Sequence, residues 1–203
     1  MDAHIDDMAR ASNREKILTE GLRVVHERGF ANASVRDIVA AAGVPQGSFT
    51  NHFASKEAFG LEILDIYFAK GFEVIRDTLL NDALPPLARL RQFIELNKSR
   101  LNQTGMRNGC LFGNFTAEAS EQSEPIRTRL VEIFGEVQQA VAYCLEAAVR
   151  AGELAPDLDC AKIAGFIVSS LQGANLLAKA VRNPAPVDRF TDVLFDHVLA
   201  RRA

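Results

Sequence analysis

Apolar residues recur at intervals of three and four along most of the chain, the period of helices that each bury one face. The first run holds Ile17, Leu18, Leu22, Val24 and Val25. Ser12-Asn13-Arg14-Glu15 opens it as an N-cap with a capping-box glutamate, and Gly29 ends it with Arg28 near its negative end. Phe30 is expected to enter the core. A shorter run follows with Val35, Ile38 and Val39, capped by Ser34, to which Asp37 can reach back. Gly43 stops it, because glycine passes through the left-handed region at little cost. Val44 is expected as a buried hook in the turn, and Pro45 suits the first turn of a third helix. Ser55 then caps a long fourth helix, whose stripe is Leu61, Leu64, Phe68, Phe72, Ile75 and Leu79.

Asn81 to Pro86 break the chain, and Leu87, Leu90, Ile94 and Leu101 mark a helix that Gly105 ends. Residues 106–120, MRNGCLFGNFTAEAS, form a glycine-punctuated segment with Cys110 amid Leu111, Phe112 and Phe115. Glu124-Pro125 begins a long helix with Ile126, Leu130, Ile133, Val137, Val141 and Leu145, ending at Gly152. After the loop ELAPDLD a helix runs from about Cys160 to Val181 with Ile163, Phe166, Ile167, Leu171 and Leu177. Asn183, Pro184 and Pro186 end it, and a last helix holds Val187, Phe190, Leu194, Phe195 and Val198. No period-two alternation and no internal repeat occur. The fold class is therefore all-α, with about three helices in an N-terminal domain (residues 1–56, including an aperiodic arm over residues 1–11). About six more form a body over residues 57–203.

The third helix is polar where the others are apolar. Gln46, Ser48, Thr50, Asn51 and His52 can reach base edges and phosphates. Two helices, a tight turn and a polar second helix are the helix-turn-helix pattern, whose second helix lies in the major groove of DNA. The net charge of −3 does not point to a nucleic-acid binder, but its distribution does. Residues 10–56 carry seven basic and four acidic residues, a balance of +3; the remaining 16 basic and 22 acidic residues give −6. A basic head on an acidic body fits a DNA reader with a separate sensing domain. Arg10 and Arg14 are candidates for phosphate contact or for solvated surface.

At 203 residues and 48% hydrophobic composition the chain can bury a substantial core. No stretch of about 18 apolar residues occurs, so no membrane span is expected, and the polar N-terminus lacks an apolar signal core. A cytoplasmic location is expected. Cys110, Cys144 and Cys160 show neither redox-pair nor metal-ligand spacing, and His4, His26, His52 and His197 are scattered. No metalloprotease, nucleophile-elbow, phosphate-loop or calcium-loop motif is present. No catalytic residue, metal or cofactor is therefore expected. A thiol enzyme using Cys110 is one alternative, although no base beside the sulfur is identifiable. A helical interaction module without DNA binding is another.

The spacing of Ala41, Gly43 and Val44, followed by GSF and HF-x-SKE, resembles the TetR family of one-component bacterial repressors over the first sixty or so residues. Gln46 stands where that family often has Lys and Thr50 where it usually has Tyr; His52, Phe53 and Lys56 match. The resemblance implies a reading surface of Ser34, Arg36, Gln46, Gly47, Ser48, Thr50, Asn51, His52 and Lys56 on double-stranded operator DNA. Gln46, Ser48 and Asn51 are expected on bases, and Ser34, Thr50, His52 and Lys56 on phosphates or against the helix N-terminus. It also implies a homodimer built from the last two helices. Gly165, Ser169 and Gly173, small residues at four-residue spacing, would let a second helix come close, with Phe190, Leu194, Phe195 and Val198 as apolar contacts. Two-fold symmetry would let two heads read two half-sites.

Asn108-Gly109-Cys110-Leu111, Ala117-Glu118, Ser123-Glu124, and Gly173-Ala174-Asn175-Leu176 with Ala178-Lys179 resemble one branch of that family. It contains the repressor of N-ethylmaleimide reductase, which responds to electrophiles and oxidants. Cys110 and Lys179 both match, and a nearby cation favours the thiolate. Three readings of Cys110 stand: a reactive sensor, an inert small hydrophobe among Leu and Phe, or a ligand-lining residue. The body is expected to contain an effector cavity. Its apolar walls would come from Phe112, Phe115, Phe134, Phe166 and Leu171, and its polar anchors from Asn114 and Asn175. The partners so implied are operator DNA, a second copy of the chain and a small-molecule effector or electrophile, with no membrane.

Overall fold

The structure is a computed structural model that describes residues 12–200; the N-terminal arm, with His4 and Arg10, lies outside the described residues. Among the described residues there is no strand. Nine α-helices follow in order: α1 (Asn13–Arg28), α2 (Val35–Ala41), α3 (Gly47–His52), α4 (Lys56–Asp77), α5 (Pro86–Asn102), α6 (Leu111–Ala119), α7 (Glu124–Arg150), α8 (Cys160–Val181) and α9 (Ala185–Val193). The end of α9 widens into a π-helical turn over Leu194–Val198, where the Leu199 N–H donates to the Leu194 carbonyl at 2.8 Å. Two compact units divide the chain between Ile63 and Leu64, inside α4.

The head owes its shape to local chemistry. Both expected capping boxes are formed, Ser12 with Glu15 and Ser34 with Asp37, so that side chains satisfy donors the helix cannot. The Ser34 bonds hold the Asp37 carboxyl below the ordinary aspartate range, with Arg28 at 3.0 Å adding to the effect. Gly43 has φ +64°, and beside it the Val44 N–H donates to the Val39 carbonyl at 3.1 Å, closing α2. Val44 and Phe30, expected inside, are half-buried. The core beneath them is Ile17, Val25, Ile38, Phe49 and Phe59, all nearly or wholly excluded from solvent. The rings of Phe49, Phe53 and Phe59 meet with centroids 5.1–5.5 Å apart, which fixes α3 against the start of α4.

In the body α7 packs on α5, α6 and α8, and α8 packs on α9. Ile75, Leu79, Leu90, Ile94, Val141, Leu145, Ile167 and Leu171 form the shared core, and Leu194 joins it at 1% exposure. A buried arginine paired with an exposed aspartate ties the entry of α5 to α7. The Arg89 guanidinium donates to the Leu84 carbonyl at 2.7 Å and to Asp82 at 2.6 Å, and the Tyr143 hydroxyl donates to the same carboxylate at 2.8 Å. Residues 111–119, within the glycine-punctuated segment, form the helix α6. Gly113 lies inside it rather than ending it, and Cys110 is its N-cap residue. The apolar face of α8 is also larger than its own core requires. Phe166, Leu176, Leu177 and Val181 are all 44–67% exposed. By length and average composition alone this helix could cross a membrane, although it contains no unbroken apolar run of that length. Lys162, Gln172, Asn175 and Lys179 interrupt it, and its buried side is packed on protein.

Candidate functional site

The expected reading surface centres on the six residues of α3. Phe49 points inward and anchors the helix, which leaves Gln46, Gly47, Thr50, Asn51 and His52 exposed, together with Ser34 and Arg36 on α2 and its cap. Ser48 turns inward with Phe49 and is 9% exposed, so it is poorly placed for a base edge. The Thr50 hydroxyl donates back to the Gly47 carbonyl at 3.1 Å. The Lys56 ammonium lies 4.7 Å over the Phe30 ring and 3.4 Å from the Ala31 carbonyl. Arg14 is ion-paired with Glu62 and lies over the Phe53 ring, which brings it to the α3–α4 junction.

In the body, Cys110 lies where two cavities meet. The smaller, about 100 Å³, is walled by Tyr67, Phe68, Phe112, Phe134 and Leu171, with Asn97 and Arg100 at its edge. Arg100 stacks 4.1 Å from the centre of the Tyr67 ring. Burial pushes the Tyr67 hydroxyl up to about 12; the neighbouring Cys110 adds to this and Arg100 opposes it. The larger cavity, about 570 Å³, is lined by Asn114, Gln138, Ser169, Asn175 and Lys179 among others. Cys110, Phe134, Val168 and Gln172 belong to both. The Lys179 ammonium donates to the Asn114 amide oxygen at 2.9 Å, and that amide donates in turn to the Asn108 carbonyl at 2.9 Å. Gly109 has φ +67°, and a Cβ there would lie 2.8 Å from the Lys179 side chain. Only glycine lets the lysine stem cross the loop that carries Cys110.

Comparison with known proteins decides the family. Residues 17–63 match the model of bacterial regulatory proteins of the tetR family, and residues 86–194 match a tetracyclin repressor-like C-terminal domain. The chain belongs to the TetR family. As a TetR-family regulator it carries a DNA-binding helix-turn-helix in the head and a tetracyclin repressor-like C-terminal domain in the helical body. It is 38% identical to the HTH-type transcriptional repressor DhaR of Mycobacterium sp. strain GP1 over 192 residues, 95% of each protein. A solved regulatory protein TetR from Rhodobacter sphaeroides superposes with a TM-score of 0.87 at 30% identity, covering 92% of this chain and 99% of that one. The reduced form of Escherichia coli NemR superposes with a TM-score of 0.82 at 26% identity, covering 91% and 95%. The branch containing the N-ethylmaleimide reductase repressor is thus among its relatives, at lower identity than DhaR.

The TetR-family body distributes the remaining sequence-predicted residues unevenly. Phe112, Asn114, Phe134, Leu171, Asn175, Cys110 and Lys179 line the two cavities. Phe115 is fully buried in the core, and Phe166 lies on the outer face of α8, so neither walls them. Tyr67, Arg100, Gln138 and Gln172 were missed. Three of the four are polar residues on helices whose apolar neighbours carried the periodic signal. Of the small residues on α8, Gly173 has open space where a Cβ would stand, whereas Gly165 faces Gln138 of α7 at 3.2 Å. Leu194 is withdrawn into the core, and Phe190, Phe195 and Val198 pack against that core from outside; Phe195 also lies under Arg91. The outward stripe of this TetR-family chain is instead Phe166, Leu176, Leu177 and Val181 on α8 with Val193 on α9.

Proposed function

We propose that this TetR-family protein is a dimeric cytoplasmic repressor, released from a palindromic operator when a signal acts on its body at Cys110. Supporting the dimer is the exposed apolar stripe of α8, with open space over Gly173 for a close helix approach. Gln46 and Asn51 read bases, while Ser34, Arg36, Thr50, His52 and Lys56 hold the backbone. A signal in the body moves α4, and with it the distance between the two heads. An effector can do this only if it binds the released form better than the DNA-bound form.

The observation that carries the chemical signal is the position of Cys110. It is half-buried at the N-terminal end of α6, open to both cavities, and shares the larger one with Lys179. That one solved relative is described in a reduced form also favours a thiol signal. With a maleimide or quinone the sulfur would add to the conjugated double bond, forming one S–C bond while a proton goes to the adjacent carbon. The adduct adds volume to a wall that tolerates little. Operator binding by the parent, Cys110→Ser and Lys179→Ala proteins, each with and without N-ethylmaleimide, tests this. The parent should lose operator affinity on treatment and Cys110→Ser should keep it. Equal release from both would leave only a reversible ligand site.

A further inference from the structure

The two cavities that meet at Cys110 are electrostatically one-sided. Arg100 stands at the edge of the smaller and Lys179 in the larger, and no aspartate or glutamate lines either. Neither cation is in an ion pair among the described residues; Arg100 lies over a tyrosine ring and Lys179 donates to a neutral amide. Other sheltered cations of the body differ. Arg89 holds Asp82, Lys98 holds Glu95 and Asp188, and Arg129 holds Asp65. Withdrawing positive charge from water without a counter-charge costs free energy, and the chain outside residues 10–56 has acids in excess, 22 against 16. Asn175 adds a second anomaly. It is 2% exposed, lines the larger cavity, and neither its amide nitrogen nor its amide oxygen has a hydrogen-bond partner. Buried polar groups without partners are rare and costly.

We propose that the two cavities bind an organic anion, its apolar body among the rings of Tyr67, Phe112 and Phe134 and its carboxylate paired with Arg100 or Lys179, the two cations that line them. The anion supplies the missing counter-charge, and the aromatic walls exclude water, which strengthens the pairing. This rests on the reading of the body as the effector domain, but it needs no reaction at Cys110. Binding would place charge beside that thiol and so tune its response to electrophiles.

The test uses the full-length Cys110→Ser protein without DNA, so that no adduct and no operator enter the measurement. Calorimetry compares benzoate with benzamide and hexanoate with hexanamide, pairs of nearly equal shape that differ in charge. Each acid should bind at least about tenfold more tightly than its amide, a difference of about 1.4 kcal/mol. The double variant Arg100→Gln with Lys179→Gln should bring acid and amide within about twofold, and Arg100→Lys with Lys179→Arg, which keeps both charges, should restore the preference. Thermal unfolding of each variant checks that the body is intact. Amides that bind as tightly as acids, a double variant that keeps the preference, or acids that fail to bind at millimolar concentration would each overturn the anion site. An acid that binds but leaves operator affinity unchanged would uphold the site and refute only its role as effector site.

Discussion

At the scale of single residues, burial sets Cys144 apart from Cys110 and Cys160, which are both half-buried. Burial pushes the Cys144 thiol up to about 11, and its sulfur lies 3.2 Å from the Pro86 carbonyl. Cys160, the first residue of α8 after its Asp159 cap, is also pushed up, by burial and then by Glu146 and Asp159. A raised thiol value means less thiolate, the reactive form, at any pH below it. Near pH 7.5, N-ethylmaleimide should therefore modify Cys110 first, and Cys144 should react appreciably only as pH climbs toward 11. Mass spectrometry of timed digests measures this, and early labelling of Cys144 would contradict it. On the head, Gln46→Ala should relax preference at one position of each half-site, since a base contact carries sequence information and a phosphate contact does not. Lys56→Gln should weaken all sequences alike and lower the slope of affinity against salt by about one unit. Binding titrations over a series of half-site variants and salt concentrations distinguish the two. These surface positions were legible because α3 is short and polar apart from Phe49. The inward turn of Ser48 was not, since six residues carry too little periodicity to fix a helix's phase.

Close packing decides the behaviour of the elements. Gly21 on α1 has no room for a methyl group. A Cβ there would stand 2.5 Å from the Phe59 ring and 2.9 Å from Ile38. Gly21→Ala gains helix propensity but must push α1 off its neighbours, and overpacking of this kind costs about 1–3 kcal/mol. Denaturant unfolding should show the head destabilised by that order; an unchanged or raised midpoint would mean that the helices yield freely. α6 shows the opposite limit of sequence reading. Gly109 and Gly113 punctuate the same segment alike in the sequence, yet only Gly109 of the two needs a left-handed backbone, and Gly113 sits inside the helix with Gln172 3.4 Å from where its Cβ would stand. A glycine that ends a helix and one that makes room for a neighbour are the same letter.

For the whole molecule, the decisive surface is the outer face of α8. Leu177 is 56% exposed and Leu176 67%, on a helix that buries Ala164, Ile167, Leu171 and Ala178 on its other side. A charge there should not disturb the fold of one chain but should be costly in a desolvated interface. Leu177→Arg is expected to leave the thermal midpoint of the helical body near that of the parent. It should shift sedimentation from dimer to monomer at micromolar concentration and lower operator affinity by at least about tenfold, because one head alone then reads one half-site. A variant that remains dimeric would place the interface elsewhere.

The all-α class, the two capping boxes, the Gly43 turn and the polar third helix could be read from the sequence alone, because each depends on residues within a few positions of one another. The family followed from the same local pattern. Which apolar face looked inward could not be read this way. Leu194 and Leu177 are chemically alike, but one is in the core and the other in solvent, and only the packing of α7, α8 and α9 distinguishes them. The meeting of Cys110, Arg100 and Lys179 around two cavities is likewise a tertiary fact. Those residues come from three separate segments, and no periodicity records how far apart folding leaves them.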